Sequence, residues 1–440
     1  MMNDESRMTA SGFIIGHASL TASRSSRNAG ELVALMFLAI LLPGCDTPVR
    51  DTSPSSPHQH KTARDQTGSP DTVGSPDIPD DLPQLDGWPL VRGDRQGRGA
   101  TAGPLPERLE RLWAFQAEDG VPGAAVIDEG RVYVGSLDGN LYALRLSDGE
   151  RLWQFGTELG FEAGPAVADG RVFAGDADGV FYCLDATAGN ELWRHATAAS
   201  ISAAPNVVGD RVLFGSQDGH LYCRDAATGE EVWTYESPDQ IRCFPTVSQG
   251  RAMVAGCDGQ LHVIDVGSGK ELSAIELDGP TGSAPAVENH IAYVGTEQGT
   301  FFAIDLAEGT VQWRYVSPDR PAAYRSSAAL AGGLAIVGSR DRMIHALDTA
   351  NGEPRWSFPA RTRVDGSPVV VGRRVFVGTD AGVLLALRLD TGQELWEYEL
   401  GGSITASPAV ANGRLVIGND RGKVVCFGTP QAQGHRPVEP

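Results

Sequence analysis

GPAVADGRVFAGDADGVFYCLDATAGNELWRH, residues 164–195, is the stretch whose reading decides the fold. After Pro165-Ala-Val the chain turns at Asp169-Gly170, and Arg171–Gly175 follows with apolar side chains at every second position. That alternation is the mark of a strand with one buried face. Asp178-Gly179 makes the next turn, where glycine supplies the positive φ of a tight hairpin. Phe181–Leu184 is a third strand, Thr187-Ala-Gly189 a third turn, and Glu191–His195 a fourth strand. The stretch therefore reads as four short antiparallel strands.

The unit recurs. Trp113, Trp153, Trp193 and Trp233 are each 40 residues apart; Ser273 takes the next place, then Trp313, and Trp356 and Trp396 follow at 43 and 40. The glycine closing the second strand returns as Gly135, Gly175, Gly215, Gly256, Gly295, Gly338, Gly378 and Gly418, which counts eight copies. Repetition at this period means an array of supersecondary units. Four-stranded units of this kind are the blades of a β-propeller. The last copy ends after its third strand, Val424–Phe427, while an unpaired fourth strand, Arg111–Phe115, stands at the other end. Joining the two closes the ring and removes its open sheet edges. The fold expected is all-β, an eight-bladed propeller over 87–428, closed by an N-terminal strand that completes the last blade.

The fourth-strand region carries the most specific motif, Ala/Cys-x-Asp-x-x-x-Gly-x-x-x-Trp, as in Asp185, Gly189 and Trp193 or Asp225, Gly229 and Trp233. It resembles the tryptophan-docking motif of quinoprotein-type (PQQ-like) propeller repeats. A tryptophan that recurs in seven of eight copies packs between blades, since a ligand needs one site and not eight. Trp113, Trp153, Trp193, Trp233, Trp313, Trp356 and Trp396 are accordingly expected to be docking residues.

Residues 1–44 read as a lipoprotein signal peptide. Arg24 and Arg27 precede an apolar run over 32–42, too short to span a bilayer, and the run ends in Leu42-Pro-Gly-Cys45. This resembles a bacterial lipobox, in which the cysteine becomes the lipid-bearing N-terminus. Residues 45–86 then form a tether rich in Pro, Ser, Thr and Asp, with a reach of roughly 35 Å. Residues 429–440 form a tail. The formal net charge is −20, with three lysines and no basic stripe, which argues against nucleic acid as a partner.

Cys183, Cys223 and Cys426 share a third-strand position otherwise held by Ala143, Ala303, Ala346 and Ala386, and so read as small packing residues. Cys243 and Cys257 flank one turn of a single blade. They are compatible with a disulfide in an exported protein and equally with two thiols one register position apart. The histidines match no zinc spacing, and Asp176-Ala-Asp178-Gly179 lacks the remaining ligands of a calcium loop. No catalytic residue, metal site or cofactor site is read from the sequence. One asymmetry stands out among the loops that lead from a fourth strand into the next blade. Most are neutral or acidic, but three carry Arg242, Arg320 with Tyr324 and Arg325, and Arg361 with Arg363. Arginine and tyrosine are favoured interface anchors, so these six are candidate partner-binding residues.

The lipobox, the repeat motif and the blade count together resemble the BamB family. That resemblance implies a non-enzymatic, lipid-anchored scaffold of the bacterial envelope, periplasmic or at the outer membrane. It would bind protein partners in β-barrel protein assembly and need no cofactor. The long tether after Cys45 departs from the family pattern. The alternatives are a PQQ-dependent dehydrogenase-like enzyme, against which stands the lack of an adjacent Cys-Cys pair and of inserted loops, and a cell-surface ligand sensor. Mass spectrometry of the mature protein is expected to find a diacylglyceryl-modified Cys45 at the N-terminus. Cys45→Ser should leave the membrane fraction, and its retention there would refute lipidation.

Overall fold

The computed structural model describes residues 82, 85 and 87–430. The signal segment, Cys45, nearly all of the tether and the last ten residues lie outside them. Among the described residues every regular element is a strand, and no helix is long and apolar enough to cross a membrane. The strands form eight sheets arranged as a propeller.

Blade 2 shows how the sequence builds one sheet. Its strands are Ala166–Ala168, Arg171–Gly175, Val180–Asp185 and Glu191–Ala196, paired antiparallel in that order. The first strand is three residues long and lies nearest the axis. The second and third are almost wholly buried, because sheets face them on both sides. The fourth alternates between exposed and half-buried, as the outer rim requires. Its register against the third strand slips between Glu191 and Trp193, a bulge that leaves Leu192 exposed and re-aims the tryptophan.

Blade 8 is made from both ends of the propeller. Ala409–Ala411, Arg414–Gly418 and Lys423–Gly428 are completed by Glu110–Gln116, with Trp113 opposite Cys426 and Phe115 opposite Val424. The ring is thus closed by the pairing that the truncated last repeat implies.

Six of the eight blades are fastened to the next by a tryptophan. Trp113 Nε1 donates to Leu146 O (2.9 Å), Trp153 to Ala186 O (3.1 Å), Trp193 to Ala226 O (3.2 Å) and Trp233 to Val266 O (2.9 Å). Trp313 and Trp356 repeat the bond to Thr349 O and Leu389 O. The indole lies on the motif glycine of the following blade: a Cβ on Gly189 would come within 2.7 Å of the Trp153 ring. That glycine also has φ +72°, so two independent constraints exclude a side chain. The motif aspartate serves the same turn, since Asp185 Oδ1 accepts from Thr187 N and Ala188 N at 2.9 and 2.7 Å. Where Ser273 replaces the tryptophan, a Cβ on Gly309 would meet nothing within 4 Å.

An additional element was not read from the sequence. Residues 88–101 run round the inside of the channel as a strap along the innermost strands. Trp88 exchanges two backbone bonds with Ile127 (2.6 and 2.9 Å). Val167 N donates to Pro89 O, Val247 N to Arg95 O, Val287 N to Gln96 O, Leu330 N to Arg98 O and Val370 N to Gly99 O, all at 2.7–2.9 Å. Asn206 Nδ2 reaches Arg95 O at 2.9 Å, so blades 1 to 7 all hold the strap. Ala100–Thr101 ends it as a short parallel strand beside Val369–Val371. These bonds satisfy inner-edge donors that would otherwise face the channel unpaired.

Trp193→Ala should cost about 2–4 kcal/mol through lost packing and the orphaned Ala226 carbonyl. Ser273→Trp should instead raise the melting temperature, by about 1–2 °C, by filling the space over Gly309. Calorimetry on the two variants checks both, and a destabilised Ser273→Trp would show that this blade junction has closed differently.

Candidate binding face at the mouth of the channel

The loops leading from each fourth strand to the next blade's first strand share one face and follow one design. Most carry an apolar residue whose backbone N–H bonds to the blade before it, as Phe161 N to Ser136 O (2.9 Å), Ile201 N to Asp176 O (3.0 Å) and Val364 N to Ser339 O (3.2 Å), and Thr281 makes the same bond to Gly256 O (3.3 Å) in its loop. The apolar side chain sits over the glycine closing a second strand: Phe161 over Gly135, Ile201 over Gly175, Val364 over Gly338. Tyr324 is this residue in its own loop, bonded to Thr296 O at 3.0 Å and seated over Gly295. It is fully buried, against Phe301 and His345. The expectation that Tyr324 is a surface anchor is therefore corrected. The signal was available, because Tyr324 stands four residues before Ala328 as Phe161 stands four before Pro165.

The arginines are on the face as expected, but in different states. Arg325 makes a two-pronged pair with Glu297 (2.7 and 3.3 Å), and Arg363 an ion pair with Asp380 (3.1 Å). Arg242 is held only by the neutral amides Gln240 (2.9 Å) and Gln217 (3.3 Å). Arg320 and Arg361 are exposed. Arg340, which was not singled out from the sequence, clamps Asp365 at 2.9 and 2.6 Å.

Together these loops frame a recess of about 280 Å³ at the channel mouth, with residues from all eight blades on its wall and Arg92 of the strap at its floor. The strap separates it from a recess of about 400 Å³ at the opposite end of the inner strands, which Gln96 and Arg98 line. A larger cavity, about 640 Å³, lies at the periphery between blade 7 and residues 103–109. There Arg374 ties the crossing segment down through Leu105 O (2.6 Å) and Pro106 O (2.7 Å). Cys243 lies on the mouth and Cys257 beside it; both are free thiols. The pairing Thr246↔Met253 and Val247↔Ala252 extends to place Cys243 opposite 256, one position short of Cys257. Burial pushes the Cys243 thiol up to about 12, so it stays protonated.

The architecture defines an eight-bladed propeller of tryptophan-docked, quinoprotein-type repeats. The chain belongs to the family described as outer membrane protein assembly factor BamB, whose model matches residues 107–243, 225–359 and 325–429. No curated protein matches it. Among solved structures it is similar to a europium-containing methanol dehydrogenase, at 15% identity over 78% of this chain and 98% of that one, TM-score 0.69. It is also similar to a quinohemoprotein alcohol dehydrogenase from Comamonas testosteroni, at 16% identity over 80% and 82% of the two chains, TM-score 0.67. A third is the quinohemoprotein alcohol dehydrogenase of Pseudomonas putida HK5, at 15% identity over 81% and 82%, TM-score 0.65. Such identities show a common fold. They overturn the expectation that this chain is not an enzyme, because dehydrogenases share its propeller over most of its length. A metal of the kind one of them contains does not fit the mouth. The mouth's wall offers one carboxylate, Asp365, already clamped by Arg340, and no cluster of three His, Cys, Asp or Glu suits a metal among the described residues.

The Tyr324 hydroxyl has no hydrogen-bond partner among the described residues, and burial raises its pKa. Tyr324→Phe removes an unsatisfied buried group and should stabilise the protein by about 1 kcal/mol, measured by denaturant unfolding. A loss of stability would mean that the hydroxyl has a partner.

Proposed function

We propose that this protein is a lipid-anchored component of the bacterial envelope that binds protein partners through the loop face of its propeller, in the assembly of outer-membrane β-barrel proteins. The observation that carries this reading is the family match, which runs from residue 107 to residue 429 and so covers the whole ring bar the strap. The loop face supports it: among the described residues Arg242, Arg320 and Arg361 have no acidic partner in contact, and the chain carries a net charge of −20. Such points steer and orient an acidic surface more than they add affinity.

A tagged full-length chain, solubilised from membranes, tests the reading. An integral β-barrel protein or a component of its assembly should co-elute, and should release as salt rises. Replacing Arg242, Arg320 and Arg361 together with Ala should lower that capture about tenfold while the melting temperature stays within a degree or two, since these are surface positions. Unchanged capture by the folded variant would move the docking surface to another face. The likeness to dehydrogenases favours one competing reading, a quinone-dependent alcohol dehydrogenase. Alcohol-dependent dye reduction by the same preparation, dependent on added pyrroloquinoline quinone, would replace the binding role with that one.

A further inference from the structure

The strap places a charge where the fold has no counter-charge for it. Arg92 is 2% exposed, on the floor of the recess at the channel mouth. Its NH1 donates to Ser407 Oγ (3.0 Å) and its NH2 to Ala328 O (2.8 Å), both neutral acceptors. Its Nε has no partner among the described residues. A guanidinium carries five N–H donors, so three are left unused. The acid whose charge reaches it, Asp94, is bound by Arg98 at 2.6 Å. Burial draws the Arg92 pKa down to about 10, the response of a cation held away from water without an adjacent carboxylate. The position is built in: Gly99 lies against the guanidinium, and a Cβ there would collide with NH2 and Cζ.

The wall above Arg92 supplies further donors. Ser407 Oγ accepts from Arg92, Ser367 Oγ from Ser327 N (3.0 Å), and Ser327 Oγ from Ala284 N (3.0 Å). Each hydroxyl is thus engaged as an acceptor and keeps its O–H to donate. The carboxylate on the wall, Asp365, is neutralised by Arg340, whereas Arg242 is met only by amides. A partly enclosed recess with a buried guanidinium, three hydroxyl donors and an excess of positive charge has the chemistry of an oxyanion receptor.

We propose that the channel mouth binds a small oxyanion, a carboxylate or a phosphate, with the Arg92 guanidinium as its anchor and Ser327, Ser367 and Ser407 as hydrogen-bond donors. The volume of about 280 Å³ limits the ligand to a small molecule or the terminal group of a larger one. This site shares the loop face and Arg242 with the proposed docking surface, but its anchor, Arg92, lies on the strap beneath that face, so the two are tested separately.

Isothermal titration calorimetry of the full chain with sodium phosphate and with sodium malonate, each against sodium chloride at equal ionic strength, tests the proposal. One site per chain is expected for at least one of the two, and the preference between them identifies the anion class. Arg92→Met should weaken that binding at least tenfold. If Arg92→Met does not fold, the Ser367→Ala, Ser407→Ala double variant, which keeps the cation, should weaken it several-fold. No saturable heat with either anion would overturn the proposal. So would undiminished affinity in folded Arg92→Met, or, where that variant does not fold, in the serine double variant.

Discussion

Six of the eight junctions in this ring depend on the contact between a tryptophan and the glycine of the next blade. A single four-stranded sheet leaves apolar side chains on both faces, so no blade is stable until a neighbour covers it. The indole makes that contact specific. Its N–H reaches a carbonyl 33 residues ahead in blades as separate as those of Trp113 and Trp356, or 36 ahead from Trp313, where the intervening loop is longer. Its ring lies on a glycine whose own left-handed turn already bars a side chain. One residue pair therefore sets both the angle between blades and the spacing of the repeat. The junction at Ser273 lacks it, leaving Gly309 uncovered, and is held by apolar packing such as that of Val263 and Ile275 against Val287 and Phe302.

Closure has two layers. The outer one joins Glu110–Gln116 to the last blade and removes the exposed edge of the ring. The inner one is the strap, which pairs with the innermost strands and lines a recess at each of their ends. Because the strap immediately precedes the closing strand, ordering one brings the other to its place. The same geometry brings Arg92 to the recess at the mouth, bonded to Ser407 and Ala328 of different blades.

The loop face reconciles two findings that pull apart. Its loops are short and uniform because they are tied to the preceding blade by a backbone bond from a buried residue, apolar in most of them. That regularity suits a surface presented to a macromolecule. The same propeller carries dehydrogenases at low identity, so the scaffold itself does not choose between binding and catalysis; the side chains at the mouth do. There the donors are arginine and serine, and they suit an anion better than a metal.

The sequence by itself determined the all-β class, the eight blades, the closing strand and the tryptophan–glycine docking, because each is written in a local period that repeats. It also placed the loop arginines on one face, since every such loop leaves a blade in the same direction. Tyr324 was misjudged although its place in the repeat marks it as core: a single polar-capable side chain in a charged loop outweighed the pattern of apolar residues at the same position in other copies. What only the tertiary structure decided is the strap and the site it builds. Residues 88–101 occur once, so no repeat exposes their role. Their partners are backbone groups on six blades and the Asn206 amide on a seventh, and backbone bonding leaves no mark on side-chain pattern. Arg92 meets Ser407 across 315 positions of chain, a contact that exists only after the ring has closed.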